Sequence, residues 1–204
     1  MTHPTTIALV RHGQTAWNAE SRIQGRTDIP LNPVGRNQAQ SAAETLTNDW
    51  QVVSSSPLSR AAETAAIIAS ELGLREPLLL EHLTERHFGE AEGLTASAEL
   101  EKVRISRGFI GAEPEDVVAL RGVQAIEHLR STYPGQKIIA VSHGAFIRIT
   151  LSSLFTFEAP RVSNLSISVI KHDGTDWLLE SIEGIPARKL IKMDEPALRH
   201  SHRT

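Results

Sequence analysis

The stretch Ile7-Ala8-Leu9-Val10-Arg11-His12-Gly13 decides the reading of this chain, because Ile139-Ala140-Val141-Ser142-His143-Gly144 repeats its pattern much later. Each is a short apolar run of the kind that forms a buried strand, and each ends in His-Gly. A lone His at a strand end is ordinarily a hydrogen-bonded structural residue. Two in matching contexts point to a shared site.

Working outward, strand-like apolar runs alternate with helical periodicity. Gly35–Leu46 reads as helix, Val52-Val53 as a short strand, Leu58–Leu72 as a helix stopping at Gly73, and Pro77–Leu80 as a third strand. Thr95–Arg107 also reads as helix. Pro114-Glu115-Asp116 opens another, with Pro in the first turn and acids at the positive end of the dipole. It runs to about Ser131 and is broken by Pro134-Gly135; Ala145–Phe155 is a further helix. Ser166–Lys171 and Trp177–Ser181 flank His172-Asp173-Gly174-Thr175, a hairpin signal whose Asp-Gly supports a primed turn. The chain after Ile185 reads as irregular. This alternation predicts an α/β fold: a single three-layer α/β/α domain over residues 1–204, with a mostly parallel central sheet. Ligands of such sheets bind beyond the carboxyl ends of the strands, where both His-Gly pairs fall.

Composition narrows the chemistry. At 204 residues the chain has the length of one domain and can bury a core without covalent staples. Cys is absent, which excludes disulfides, thiol nucleophiles and Cys-ligated zinc, and suits a reducing cytoplasm. The net charge of −3 and 4% aromatic content disfavour a nucleic-acid partner. No apolar run approaches the roughly 18 residues of a membrane span, so no membrane partner is expected. No signal peptide is visible, and a cytoplasmic protein is expected. The nine histidines include no His-Glu-x-x-His, and arginines beside both candidate ligands would repel a cation. His200-x-His202 is at most an adventitious chelator; no metal is expected. The strand Trp177–Ser181 is a candidate sheet edge on which a homodimer could form.

Arg60 opens the helix after the second strand, on the same edge of the sheet as Arg11. Glu81, Glu85, Glu90 and Glu92 follow the third strand. Two Arg, two His and a carboxylate suit a phosphate monoester. Arg offers planar, permanently charged forks to phosphate oxygens. A neutral imidazole can attack phosphorus, and a cationic one can stabilise the equatorial oxygens. A carboxylic acid with a raised pKa can protonate the leaving alkoxide and later activate water.

These residues have a family look. Arg11-His12-Gly13-Gln14-Thr15 with Trp17-Asn18 and Gln24-Gly25 resembles the signature of the histidine phosphatase superfamily, also called phosphoglycerate-mutase-like. Leu31-Asn32-Pro33-Val34-Gly35 resembles its turn into the first helix, and Ser55-Ser56-Pro57-Leu58-Ser59-Arg60-Ala61 its second Arg motif. Glu85-Arg86-His87-Phe88-Gly89 with Glu92-Gly93 resembles its acid loop, and Ser142-His143-Gly144 its second His motif. The resemblance implies His12 as the phosphorylated nucleophile, with Arg11, Arg60 and His143 as the phosphate pocket. It implies Asn18 and Gln24 as accessory phosphate ligands and Glu85 as the proton donor. Gly25 and Gly144 join the binding set; Gly13 and Gly144 would let backbone approach the site. Arg86 is a substrate contact or a surface charge. No cofactor is implied.

The same site can hydrolyse a small phosphorylated substrate or shuttle its phosphate between hydroxyls. Against the glycolytic mutases, this chain has Gln24 where they have a small hydroxyl residue, Phe88 for their Tyr and Ala145 for their Asn. Their adjacent Arg pair has no counterpart, since Arg104 and Arg107 are three apart. The expected activity is therefore that of a phosphoric monoester hydrolase of the histidine acid type. A mutase or phosphotransferase is the enzyme alternative, and a non-catalytic phospho-ligand module the other. A small helical cap is expected from about residue 94 to 115, with Lys102, Arg104 and Arg107 forming either a solvated face or a positive rim for a second anion. Phe109 and Ile110 of the cap would instead favour aryl or alkyl esters.

Overall fold

The first strand, β1 (Thr5–Arg11), is inaccessible to solvent along nearly its whole length, and its alternate residues serve two cores. A computed structural model describes residues 4–46, 49–106, 108–190 and 199–200 of the chain. After β1 come α1 (Ala16–Ala19), α2 (Pro33–Thr45), β2 (Val52–Ser55), α3 (Ser59–Glu71) and β3 (Leu78–Leu79). Next are α4 (Ala98–Lys102), β4 (Arg104–Ile105), β5 (Gly108–Phe109), α5 (Glu115–Thr132), β6 (Lys137–Ser142) and α6 (Gly144–Phe155). The chain closes with β7 (Ile167–His172), β8 (Trp177–Ile182), β9 (Ile185–Pro186), α7 (Ala187–Leu190) and β10 (Arg199–His200).

The main sheet runs β10-β8-β7-β1-β6-β2-β3. From β1 to β3 it is parallel, as strand–helix–strand crossovers require; the hairpin β7–β8 extends it antiparallel from β1. Ile7, Leu9, Ile138 and Ala140 face a core shared with α5 and α6. Ala8, Val10, Ile139 and Val141 face the opposite core, with α2 and α3. The run that looks uniformly apolar in sequence is thus a two-sided strand between helical layers. Each fully buried Ile or Leu contributes about 1.5–3 kcal/mol relative to exposure.

Two expectations fail in the cap and one at the terminus. The helix expected over 95–107 ends at Lys102, and Arg104–Ile105 pairs with Gly108–Phe109 in a small hairpin. Val103 and Ile105 are β-branched and poor helix material, and Gly108 supplies a turn at φ +129°. Lys102 and Arg104 therefore do not share a helix face, and Arg107 lies outside the described residues. The chain after Ile185 is not irregular throughout: β9 and β10 both pair with β8. The strand Trp177–Ile182 is consequently not a bare sheet edge, because the returning chain occupies its outer side. Of the tail pair, His202 lies outside the described residues.

Candidate active site

Parallel pairing of β1 with β6 brings the two His-Gly exits together. Arg11 is level with Ser142, and the amide of His12 donates to the Ser142 carbonyl at 3.0 Å. The imidazoles of His12 and His143 then leave the sheet side by side, with ring centroids 5.1 Å apart. β2 lies on the other side of β6 and delivers Ser56, whose hydroxyl meets His143 Nε2 at 2.8 Å. In the first turn of α3, the fully buried Arg60 reaches back over the strand ends. Its Nε donates to His12 Nε2 at 3.3 Å, its Nη1 to the Thr27 carbonyl and its Nη2 to the Gly25 carbonyl. Arg11 Nη1 donates to the carbonyl of Val162.

These contacts fix the protonation of His12. Its Nδ1 faces the Gly13 carbonyl at 2.7 Å, so that nitrogen carries the hydrogen, and Nε2 is left as a bare acceptor beneath Arg60. Burial, then the charges of Arg60 and Arg11, push the His12 imidazole well below its usual range. His143 is lowered in the same way, by burial first and then by Arg60, His12, Arg11 and Arg121. Both shifts favour the neutral imidazole. Arg11 Nε and His143 Nδ1 are buried with no hydrogen-bond partner among the described residues. A buried donor such as Arg11 Nε is costly to leave unpaired, and an anion's oxygen would satisfy it.

Two amides complete the donor set. Asn18 Oδ1 accepts from the Thr15 amide and from Asn164, and Gln24 Oε1 accepts from the Thr15 hydroxyl. With their oxygens so occupied, each has its NH2 group left to offer. Gly25, at φ +54°, turns the chain so that its carbonyl meets Arg60; a Cβ there would also collide with the Glu92 carboxylate. Burial raises the Glu92 carboxyl, but hydrogen bonds from Thr27 and from the amides of Phe88 and Arg26 outweigh this and hold it below the usual range. Gly13 has a different role from close approach to a ligand: a Cβ there would sit 2.5 Å from the Gly35 carbonyl, so it permits packing on α2.

Glu85 sits at the N-terminus of α6. Its Oε1 accepts from the amides of Phe146 and Arg86, and its Oε2 accepts from that of Ala145. The loop that carries it has no regular backbone pairing, and Arg121 of α5 compensates. Arg121 donates to the carbonyls of His82, Thr84 and Glu85, is paired with Glu113, and stacks over the Phe146 ring.

A cavity of about 360 Å³ opens over these groups, with Arg11, His12, Asn18, Gln24, Gly25, Arg60, Glu85 and Gly144 on its wall. His143 lies just beneath, against His12. Arg86 is brought elsewhere: its guanidinium donates to the Glu113 carbonyl and to Glu115, and it does not line the cavity. None of the described residues of 94–115 lines it either; Phe109 instead packs against Phe88, which does. Gln24, Phe88 and Ala145, three of the departures from the mutase pattern, all stand on the wall. Sequence reading missed the supporting roles of Ser56, Arg121 and Asn164, which no local pattern signals. It also missed Arg148 and Arg161, although Arg148 lies one helical turn beyond Gly144 and so on the same face. Among the described residues, no three His, Asp or Glu side chains converge as metal ligands, and no helix is long and apolar enough to cross a membrane.

Residues 7–184 match the model of the histidine phosphatase superfamily (branch 1). The chain belongs to this family. It is 36% identical over 195 residues to phosphoglycerate mutase-like protein 4 of Arabidopsis thaliana, covering 85% of this chain and 83% of that relative. It is 35% identical over 195 residues to the metal-independent phosphoserine phosphatase of the same plant, covering 87% and 80%. Among solved structures it is similar to a phosphoserine phosphatase mutant from Entamoeba histolytica in complex with phosphoserine. There the TM-score is 0.78 at 27% identity, over 88% of this chain and 97% of that one. As a histidine phosphatase, the chain has the family's α/β fold, with β1, β6, β2 and β3 as the parallel part of its sheet.

Proposed function

We propose that this histidine phosphatase is a metal-independent phosphomonoesterase, hydrolysing small phosphorylated metabolites through a phosphohistidine at His12. The observation that carries the reading is the bare Nε2 of His12, oriented by the Gly13 carbonyl and flanked by Arg60 and by His143 with its unpartnered Nδ1. The phosphoryl group sits among Arg11, Arg60, His143, Asn18 and Gln24. His12 Nε2 attacks phosphorus as the ester oxygen leaves with a proton from Glu85. The Glu85 carboxylate then takes a proton from water, whose oxygen attacks the phosphohistidine. Inorganic phosphate departs and neutral His12 returns. The fixed cations and donors stabilise the transferred group without reorganising. A cysteine-free chain fits a cytoplasmic place of action.

The test is turnover of p-nitrophenyl phosphate in excess EDTA, with alkali-stable, acid-labile phosphate trapped on the chain. His12→Ala removes both turnover and label; a chelator that abolishes turnover overturns the reading. The similarity to a mutase-like relative supports a second reading, as a mutase. Isomerisation of 3-phosphoglycerate faster than its phosphate is released would establish it, whereas Gln24, Phe88 and Ala145 on the wall favour hydrolysis.

A further inference from the structure

The cavity carries more positive charge than one phosphoryl group needs. Arg11 and Arg60 lie with His12 at its floor, but Arg22, Arg148 and Arg161 also stand on its wall, against the single carboxylate of Glu85. Arg22 is occupied: its Nε donates to Glu20 and its Nη1 to the Gly93 carbonyl. Arg148 and Arg161 differ from it. Arg161, exposed in the loop after α6, makes no hydrogen bond or ion pair among the described residues. Arg148 is held by a single oxygen, Oε1 of Glu115, at 3.0 Å, and that same oxygen accepts from Arg86 at 2.8 Å. Glu115 therefore keeps a partner when Arg148 swings to a ligand. The two arginines also line a second hollow that adjoins the cavity, with Glu158, Ala159 and Pro160. Glu158 repels an anion from that outer hollow, which leaves the cavity side as the place where an anion meets both guanidinium groups.

We infer that Arg161 and Arg148 form a subsite for a second anionic group, a carboxylate or a phosphate, on the same substrate that presents its phosphoryl group to His12. This rests on the proposed phosphatase reading and narrows it: the preferred substrates are short phosphomonoesters with a second negative charge, not neutral or cationic ones. The fork geometry of Arg suits either oxyanion. The residues expected to do this from sequence, Lys102 and Arg104, stand off the cavity wall.

The experiment uses two matched pairs. O-phosphoserine and O-phosphoethanolamine differ by one carboxylate; fructose 1,6-bisphosphate and fructose 6-phosphate differ by one phosphate. The purified chain and its Arg161→Gln and Arg148→Gln variants are assayed for phosphate release. The wild type is expected to favour the more anionic member of at least one pair in kcat/KM by tenfold or more, with the favoured pair identifying the anion. Either variant is expected to reduce that preference about tenfold, chiefly through KM. The preference is a ratio within one preparation, so a change in folded fraction cancels. Wild-type preference below twofold in both pairs, or a ratio unchanged in both variants, overturns the subsite. Calorimetric binding of the same pairs to His12→Ala reads the subsite without turnover. Absence of hydrolysis by the wild type together with preferential anion binding to His12→Ala sinks the phosphatase reading and keeps the subsite; absence of preferential binding sinks the subsite.

Discussion

Arg60 Nε donates to His12 Nε2 at 3.3 Å, so a cation from one helix marks the nitrogen that a strand end presents for attack. The same guanidinium holds the carbonyls of Gly25 and Thr27, and it therefore shapes the cavity wall as well as charging it.

Arg60→Met is expected to lower kcat/KM for p-nitrophenyl phosphate by a thousandfold or more, and Arg60→Lys to restore little of it. A single ammonium cannot span two carbonyls, the imidazole and a phosphate oxygen at once. Steady-state kinetics on the two variants check this; recovery within tenfold in the lysine variant would show that charge alone suffices.

Glu85→Gln is expected to penalise poor leaving groups selectively. The donor matters when the departing oxygen is a basic alkoxide and much less for nitrophenolate. Hydrolysis of an alkyl phosphate should fall at least a hundredfold, against a much smaller loss for p-nitrophenyl phosphate. Equal losses on both esters would remove Glu85 from the proton-donor role.

Stability should fall as pH drops below neutrality. His12 and His143 have folded pKa values depressed by burial and by neighbouring cations, while in the unfolded chain they titrate near 6.5. Above about 6.5 both states hold these rings neutral and no stability is lost. As pH falls through 6.5 the unfolded chain takes up protons that the folded chain refuses, costing up to about 1.4 kcal/mol per pH unit for each ring. The loss ends only at the lower folded-state values. Melting in phosphate-free buffer from pH 7.5 to 5.5 should show a decline, shallower in His143→Gln. A flat profile would mean that the rings are not buried neutral.

Arg121→Met should slacken the loop that presents Glu85, by removing the donors to the carbonyls of His82, Thr84 and Glu85 and leaving Glu113 without its nearest partner. Loss of such charge-assisted hydrogen bonds costs roughly 1.5–3 kcal/mol. The expected result is a lower melting temperature together with a kcat loss that, like that of Glu85→Gln, is larger for alkyl than for aryl esters. A kcat loss equal for both ester classes would mean that Arg121 supports the fold alone.

Much of the site was legible because strand ends in a parallel sheet are punctuated by sequence. Buried apolar runs stop at Arg11-His12 and at Ser142-His143, and turn-forming residues precede Arg60. The cap was misread because its few residues with helical spacing carry β-branched neighbours and a glycine, and short segments take their conformation from what they pack against. Arg86 was left open between two roles because a motif gives a position and not a direction; packing turned its guanidinium to Glu113 and Glu115.

By itself the sequence determined the layering of the fold, the alternation of its strands with helices, and the identity of the groups at the strand exits. Those follow from local periodicity and from the one edge of a parallel sheet where loops can converge. Only the tertiary structure decided which nitrogen of His12 is free, which cations are already engaged and which stand unpaired on the wall. Those depend on distances between segments far apart in the chain, such as Arg60 with Gly25 or Arg148 with Glu115, and no local pattern encodes a distance.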